Sequence, residues 1–376
     1  MGENVFENKN MQRILISALA EAKRPIILIG EGVRTSNTIQ EVKTFSQHCC
    51  IPILSSRCSE DIVSGFKYYY GYIGSHGIRY ANFILSKSDL IIVLGNRMAF
   101  PKESKSFLPL LKKSRCIRIE IDKNEMEREI PNTRIFYMDL RDFWKGMDYN
   151  KIHKKKKEWI YVCDKLRDSL FYYDIDHPIR EIGDWMRKID ENIPMVCDVG
   201  NNEFWISRAY IYAGIKNRIL YSRAFGTLGN ALPKAIGMHY VMNSPIVCFI
   251  GDQGMQMNIQ ELQYIAEFKI PILIFIINNE SSGMIKDNER IKYGNKFVHV
   301  EKENGYRSPD FKKIATAYGI DYECGVERVY KIKGPKIVEL KISKKCRLNL
   351  NVPKGNPCQD MKPLLGRTYY NYLDRM

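Results

Sequence analysis

Two short turns carry the residues best suited to chemistry. Gly251-Asp252-Gln253-Gly254 closes one apolar run, and Asn278-Asn279 closes the next. Glycines at a strand end let the backbone turn sharply and present amides to an anion, and a helix starting there adds partial positive charge. A lone carboxylate at such a turn opposes a phosphate unless a divalent cation lies between them. Magnesium takes hard oxygen ligands, usually carboxylate, carbonyl and phosphate. Asp252 therefore reads as a first metal ligand and the amide oxygen of Asn279, 27 positions on (279 − 252), as a second. The backbone carbonyl of Ser281 is a third candidate. Either turn alone is an ordinary loop start. Together, at this spacing, they point to a metal–diphosphate site.

The elements that must position these turns are legible as short apolar runs. They are "PIILIGEG" (25–32), "DLIIVLGN" (89–96), "CIRIEID" (116–122), "IPMVCDVG" (193–200), "PIVCFIGD" (245–252), "PILIFIINN" (271–279) and "KIVELKI" (336–342). Continuous apolar runs of this length suit parallel strands covered on both faces. Helical stretches such as 37–49, 258–269 and 309–319 lie between them. The alternation predicts an α/β chain of two doubly wound parallel-sheet domains, with ligands at the carboxyl ends of the strands. Residues 141–175 hold no buried-strand signal and include the run Lys154-Lys155-Lys156-Lys157. The expected organisation is a first α/β domain over 1–148, an exposed, charged helical linker over 149–175, a second domain over 176–345 and a tail over 346–376.

Composition narrows the function classes. The 376 residues carry a formal charge of +15, spread along the chain without a helix-turn-helix, zinc-finger or ribonucleoprotein pattern. Solvated basic surface is the expectation, with no nucleic-acid partner. Ten cysteines include no Cys-x-x-Cys pair, and most sit in apolar runs, which fits free thiols in a reducing cytoplasm. No apolar run reaches the length of a membrane span, and the N-terminus lacks the apolar core of a signal peptide.

The layout of 251–279, with "QMNIQEL", "KIPILIFIINN" and "GMIK" (283–286), resembles the thiamine-diphosphate enzymes of the acetohydroxyacid synthase type. The resemblance implies that Gly251, Asp252, Gln253, Gly254, Asn279, Ser281, Gly283, Met284 and Ile285 surround the cofactor, with Asp252, Asn279 and the Ser281 carbonyl around Mg²⁺. "SRAFGTLGNALPKAIG" (222–237) is similar to the family segment in which a large apolar residue props the cofactor into its bent conformer. It implies Leu228 for that prop, Gly226 for a carbonyl facing the cofactor's 4′-amino group, and Thr227 beside them. In "DVGNNEFW" (198–205), Asn201 and Asn202 stand where relatives have a Gln-His pair that contacts the diphosphate. Asparagine can donate to phosphate oxygens too.

Residues from about 10 to 145 resemble the central domain of the same family, which in acetohydroxyacid synthases holds flavin adenine dinucleotide. Gly30-Glu31-Gly32 and His76 are the residues that would meet such a ligand, although Gly-x-Gly alone is a weak signal. In the family a glutamate on an N-terminal pyrimidine-binding domain activates the cofactor. No stretch of this chain resembles that domain, so no catalytic glutamate is nominated, and the expectation is that it comes from a separate subunit or from a longer reading frame of which this is the tail. The expected assembly is a homo-oligomer or a complex with a partner subunit carrying that domain. Asn288 and Pro101 replace a tryptophan and an arginine that the synthases use for the second keto acid, and 323–335 is short. The reading implied is an acetolactate-synthase-like protein that decarboxylates a 2-keto acid and passes the acyl carbanion equivalent to an acceptor. The alternatives are a non-catalytic cofactor-binding chain and a simple 2-keto acid decarboxylase.

Overall fold

A computed structural model describes the chain except residues 1, 100–106, 128, 153–155, 223–224, 326–330, 344–345 and 349–350. Pro101, Lys154 and Lys155, and the middle of the short 323–335 stretch, lie outside the described residues. The chain forms two compact units, one of Met1–Asp174 with Asn349–Met376 and one of Ile175–Leu348.

The first unit is built on six parallel strands: β1 (Pro25–Ile29), β2 (Ile53–Ser55), β3 (Tyr69–Tyr72), β4 (Leu90–Leu94), β5 (Arg115–Glu120) and β6 (Thr133–Tyr137). Their order across the sheet is β3-β2-β1-β4-β5-β6. Every residue of β1 and β4 is buried, which is why both read as unbroken apolar runs. The second unit has β7 (Met195–Cys197), β8 (Ile219–Tyr221), β9 (Ile246–Gly251), β10 (Ile272–Asn278), β11 (Asp321–Cys324) and β12 (Lys336–Lys341). Their order is β11-β12-β10-β9-β7-β8, again all parallel. The first strand of this unit, β7, lies between β8 and β9, so the connections leaving β7 and β9 depart to opposite sides and open a crevice at their carboxyl ends. The turns after these two strands contain Asp198–Asn202 and Gly251–Gly254.

Two expected boundaries change. The stretch assigned to an exposed linker forms the helix Lys157–Leu170, which buries Trp159, Cys163, Leu166 and Leu170 as one stripe. The Trp159 indole N–H donates to the Pro25 carbonyl at 3.0 Å, fixing the helix to the start of β1. An apolar residue every third or fourth position gives even a highly charged helix a face to bury.

The stretch expected as a tail likewise packs within the first unit. Arg79, fully buried, donates to both oxygens of Asp174 and to the carbonyls of Met361 and Pro363 at 2.8–3.1 Å. Cys358, Met361 and Leu373 are buried beside it. Arg79→Leu leaves a carboxylate and two carbonyls without their donor, a change that costs about 3 kcal/mol at a buried ion pair. Limited proteolysis should then cut within 349–376 faster than in the wild type, with a lower first melting transition. An unchanged cleavage pattern would show that this cation does not hold the segment.

Candidate functional site

The site sits at the crevice between β7 and β9. Parallel register sets Gly251 beside Ile277, so Asp252 and Asn279 emerge at adjacent strand ends. Alternation along β10 decides which asparagine serves the site. The Asn278 side chain donates to Glu339 on β12 at 2.6 Å, whereas among the described residues no hydrogen bond engages the side chain of Asn279. Glu280 turns the chain with φ 49°, in the left-handed region, and its N–H returns to the Asn278 side chain at 2.9 Å.

Asp252 is buried at the start of the helix Asp252–Met257. Its Oδ2 accepts from the Tyr306 hydroxyl at 2.8 Å. Burial pushes its carboxyl up to about 6, opposed by the Tyr306 hydroxyl and by the backbone N–H groups of Gln253, Asp252 itself and Ser281. The 251–254 turn is tied to the loop after β10 by the Ser282 hydroxyl, which donates to Gln253 Oε1 at 2.6 Å. Gly283 is required by crowding, since a Cβ there would lie 2.8 Å from the amide nitrogens of both Asn201 and Asn279. The structure thus gathers Asp252, Gln253, Asn279, Ser281, Gly283 and Asn201. Met284 and Ile285, in the first turn of the helix Gly283–Tyr293, expose apolar side chains to solvent.

Asn201 and Asn202 open the helix Asn201–Ala213 after Gly200, whose φ of 105° favours glycine. Asn202 donates its amide N–H to the Asp198 carbonyl at 3.0 Å and turns its oxygen toward Gly200 and Gly251. Its amide donor is therefore engaged within the turn that follows β7. Asn201 points its amide at Asp287 Oδ2, 3.4 Å away. Gly226 (φ 62°) and Thr227 are exposed and Leu228 is half-buried in the loop before the helix Ala231–Met242. That loop is anchored by Gly229, whose N–H donates to Asp198 Oδ2 at 2.8 Å and whose carbonyl accepts from Asn258 at 3.0 Å. Asn288 is exposed on the helix that begins at Gly283.

Two participants escape sequence reasoning. Asp198 follows β7 directly, a position that the strand-end rule for ligand crevices would have singled out. Tyr306 lies 54 positions from Asp252, and no local pattern announces the contact.

The donor set around Asp252 is carboxylate, amide and carbonyl oxygen, which suits a small hard cation. Among the described residues no group of three or more His, Cys, Asp or Glu side chains could hold a metal ion. A cation here would therefore draw its remaining ligands from a bound phosphate and water. In the first unit the corresponding crevice is closed by packing. The N–H groups of Gly30 and Gly32 donate to the carbonyls of Leu94 and Gly95 at 3.0 Å, and a Cβ at Gly30 would lie 2.3 Å from Gly95 O. The Gly-x-Gly spacing there is accounted for by this close approach.

Comparison with known proteins agrees with this geometry. Residues 198–341 match the model described as "Thiamine pyrophosphate enzyme, C-terminal TPP binding domain", and residues 13–146 match the central domain of the same enzymes. The chain belongs to the thiamine pyrophosphate enzyme family. Within that family it is acetolactate-synthase-like. It is 29% identical over 350 residues to the acetolactate synthase large subunit of Cyanidium caldarium, covering 85% of this chain and 58% of that protein. It is 32% identical over 331 residues to the probable acetolactate synthase large subunit of Methanococcus aeolicus, covering 81% and 54%. Identity to the isozyme 2 large subunit of Escherichia coli is 25% over 366 residues, covering 91% and 64%. The chain thus spans little more than half the length of the first two relatives. Among the described residues no helix is long and apolar enough to cross a membrane.

In this family member the buried carboxylates make stability pH-dependent. Burial raises Asp198 to about 6 against the N–H groups of Gly229, Val199, Ala231 and Asn230. An acid raised on folding contributes stability that is fully present below the ordinary carboxylate range and is lost as pH rises through about 6. Asp198→Asn should therefore gain on the wild type as pH rises from about 4 to about 7, by a few kcal/mol at most. Thermal melting of both proteins in chelator checks this, and parallel curves would refute it.

Proposed function

We propose that this chain binds thiamine diphosphate through Mg²⁺ at the Asp252 site and serves an acetolactate-synthase-like reaction. In it a 2-keto acid is decarboxylated and the acyl unit passes to an acceptor. The observation that carries this reading is Asp252, a carboxylate buried at the crevice of the second unit with Asn279 and Ser281 at the neighbouring strand end. Asp252, the Asn279 side chain and the Ser281 carbonyl would hold the cation. The Gly251–Gly254 turn and the start of the helix Asn201–Ala213 would face the diphosphate. Gly226, Thr227 and Leu228 on one side, and Gly283, Met284 and Ile285 on the other, would flank the rest of the cofactor. When bound, thiamine diphosphate supplies the electron sink for loss of CO2. The chain's own part is to bind the anion, orient it and keep water from its phosphate side.

The proposal takes the activating glutamate from a pyrimidine-binding domain on a partner subunit or in a longer chain of which these residues are part. The names of the relatives, all large subunits, support an assembly of several chains. The ten cysteines, all free thiols and mostly buried, support a cytoplasmic setting. A second reading, a chain that holds the cofactor without turnover, is favoured by Asn202, whose donor is engaged by Asp198 rather than open to a phosphate.

Calorimetric titration with thiamine diphosphate, in Mg²⁺ and in chelator, tests the site. Asp252→Ala should weaken metal-dependent binding more than about tenfold; unchanged affinity would sink the assignment. CO2 release from a keto acid, with a pyrimidine domain supplied, separates enzyme from holder. An acetohydroxy acid rather than an aldehyde as product separates synthase from simple decarboxylase.

A further inference from the structure

The segment between the helix Gly283–Tyr293 and the helix Phe311–Ala317 folds into a compact turn with a defined purpose. Asn304 Oδ1 accepts from the N–H groups of Val300 and Glu301 at 2.8 and 3.0 Å, and the His299 N–H donates to the Asn304 carbonyl at 3.0 Å. The Tyr306 N–H closes the turn on the Glu301 carbonyl at 3.0 Å. Gly305 has φ 110°, and a Cβ on it would lie 2.4 Å from the His299 ring, so the turn needs glycine there. One flank is fastened to the loop after β10. The Val300 carbonyl accepts from the Ser282 N–H and the Ser281 hydroxyl, both at 2.8 Å, and Glu301 pairs with Lys286. The other flank delivers the Tyr306 hydroxyl to Asp252 Oδ2.

We propose that Tyr306 is a positioning residue that occupies one carboxylate oxygen of Asp252 and thereby sets the preference of the site for Mg²⁺ over the larger Ca²⁺. This rests on the cofactor reading given above. Ca²⁺ accepts six to eight oxygens and commonly takes a carboxylate through both, whereas Mg²⁺ demands octahedral geometry and takes carboxylates through one. A carboxylate with one oxygen held by a hydroxyl offers the other alone. Removing the hydroxyl frees both oxygens and lets the side chain rotate, which favours the cation with looser geometry. Groups that orient a metal ligand in this way typically change metal affinity 10- to 100-fold when removed.

The test titrates Mg²⁺ and, separately, Ca²⁺ into the full chain at saturating thiamine diphosphate and reads cofactor uptake by calorimetry and by tryptophan fluorescence. Trp205, buried about one turn into the crevice helix, is a natural reporter. Tyr306→Phe keeps the ring, and Tyr306→Leu is a second variant without the hydroxyl. The expected result is a wild type with metal-dependent uptake and variants whose Mg²⁺-to-Ca²⁺ affinity ratio falls about tenfold or more. A ratio unchanged in both variants, whether the two affinities fall together or not at all, overturns the role of Tyr306 and leaves the cofactor reading standing. A wild type without metal-dependent uptake overturns the cofactor reading and the Tyr306 assignment with it.

Discussion

A single carboxylate kept out of water holds three separate pieces of the second unit in register. Asp198 stands at the end of β7, accepts from the backbone of Gly229 and lies against Gly254, where a Cβ would come within 2.4 Å of its Oδ2. Its backbone carbonyl meanwhile receives Asn202. One oxygen of this buried acid finds its donor in Gly229, whose turn forms a wall of the crevice. The position of the crevice loops therefore depends on Asp198. Glycine at 254 leaves room for the acid, while Gly229, with φ 82°, packs its backbone against Met257 and the Gly254 carbonyl.

The two units share a plan and differ at the same place. Each has parallel strands with a point where the connections part, and in each that point is lined by glycines. In the first unit the turns after β1 and β4 close on one another through Gly30, Gly32 and Gly95. In the second, the corresponding turns carry the side chains of Asn202, Asp252 and Asn279. The same residue type thus seals one crevice and shapes the other, and only the neighbours tell which.

What could be read from the sequence follows from what the physics makes local. All seven apolar runs became strands, because strands covered on both faces carry little else. The strands β2, β3, β6, β8 and β11 gave no such signal: all but β2 lie at sheet edges, β2 and β8 are only three residues long, and β11 is polar and only partly covered. The adjacency of Asp252, Asn279 and Ser281 was legible because two neighbouring parallel strands place their ends side by side. Tyr306 was illegible because its contact depends on how a distant turn folds. The helix Lys157–Leu170 was misjudged for a different reason. Its stripe of Trp159, Cys163, Leu166 and Leu170 was present in the sequence, and the lysines beside it drew the reading toward solvent.

The order of the units along the chain has a consequence for how the protein is made. The first unit is left at Asp174 and resumed at Asn349, with the second unit wholly inserted between. Buried Arg79 and Asn82 find the carbonyls of Cys358, Met361 and Pro363 only after the whole inserted unit has been synthesised. The inserted unit emerges in one piece and can complete its own core first. The sheet begun before the insert is thus finished after it, so the order of folding runs against the order of synthesis.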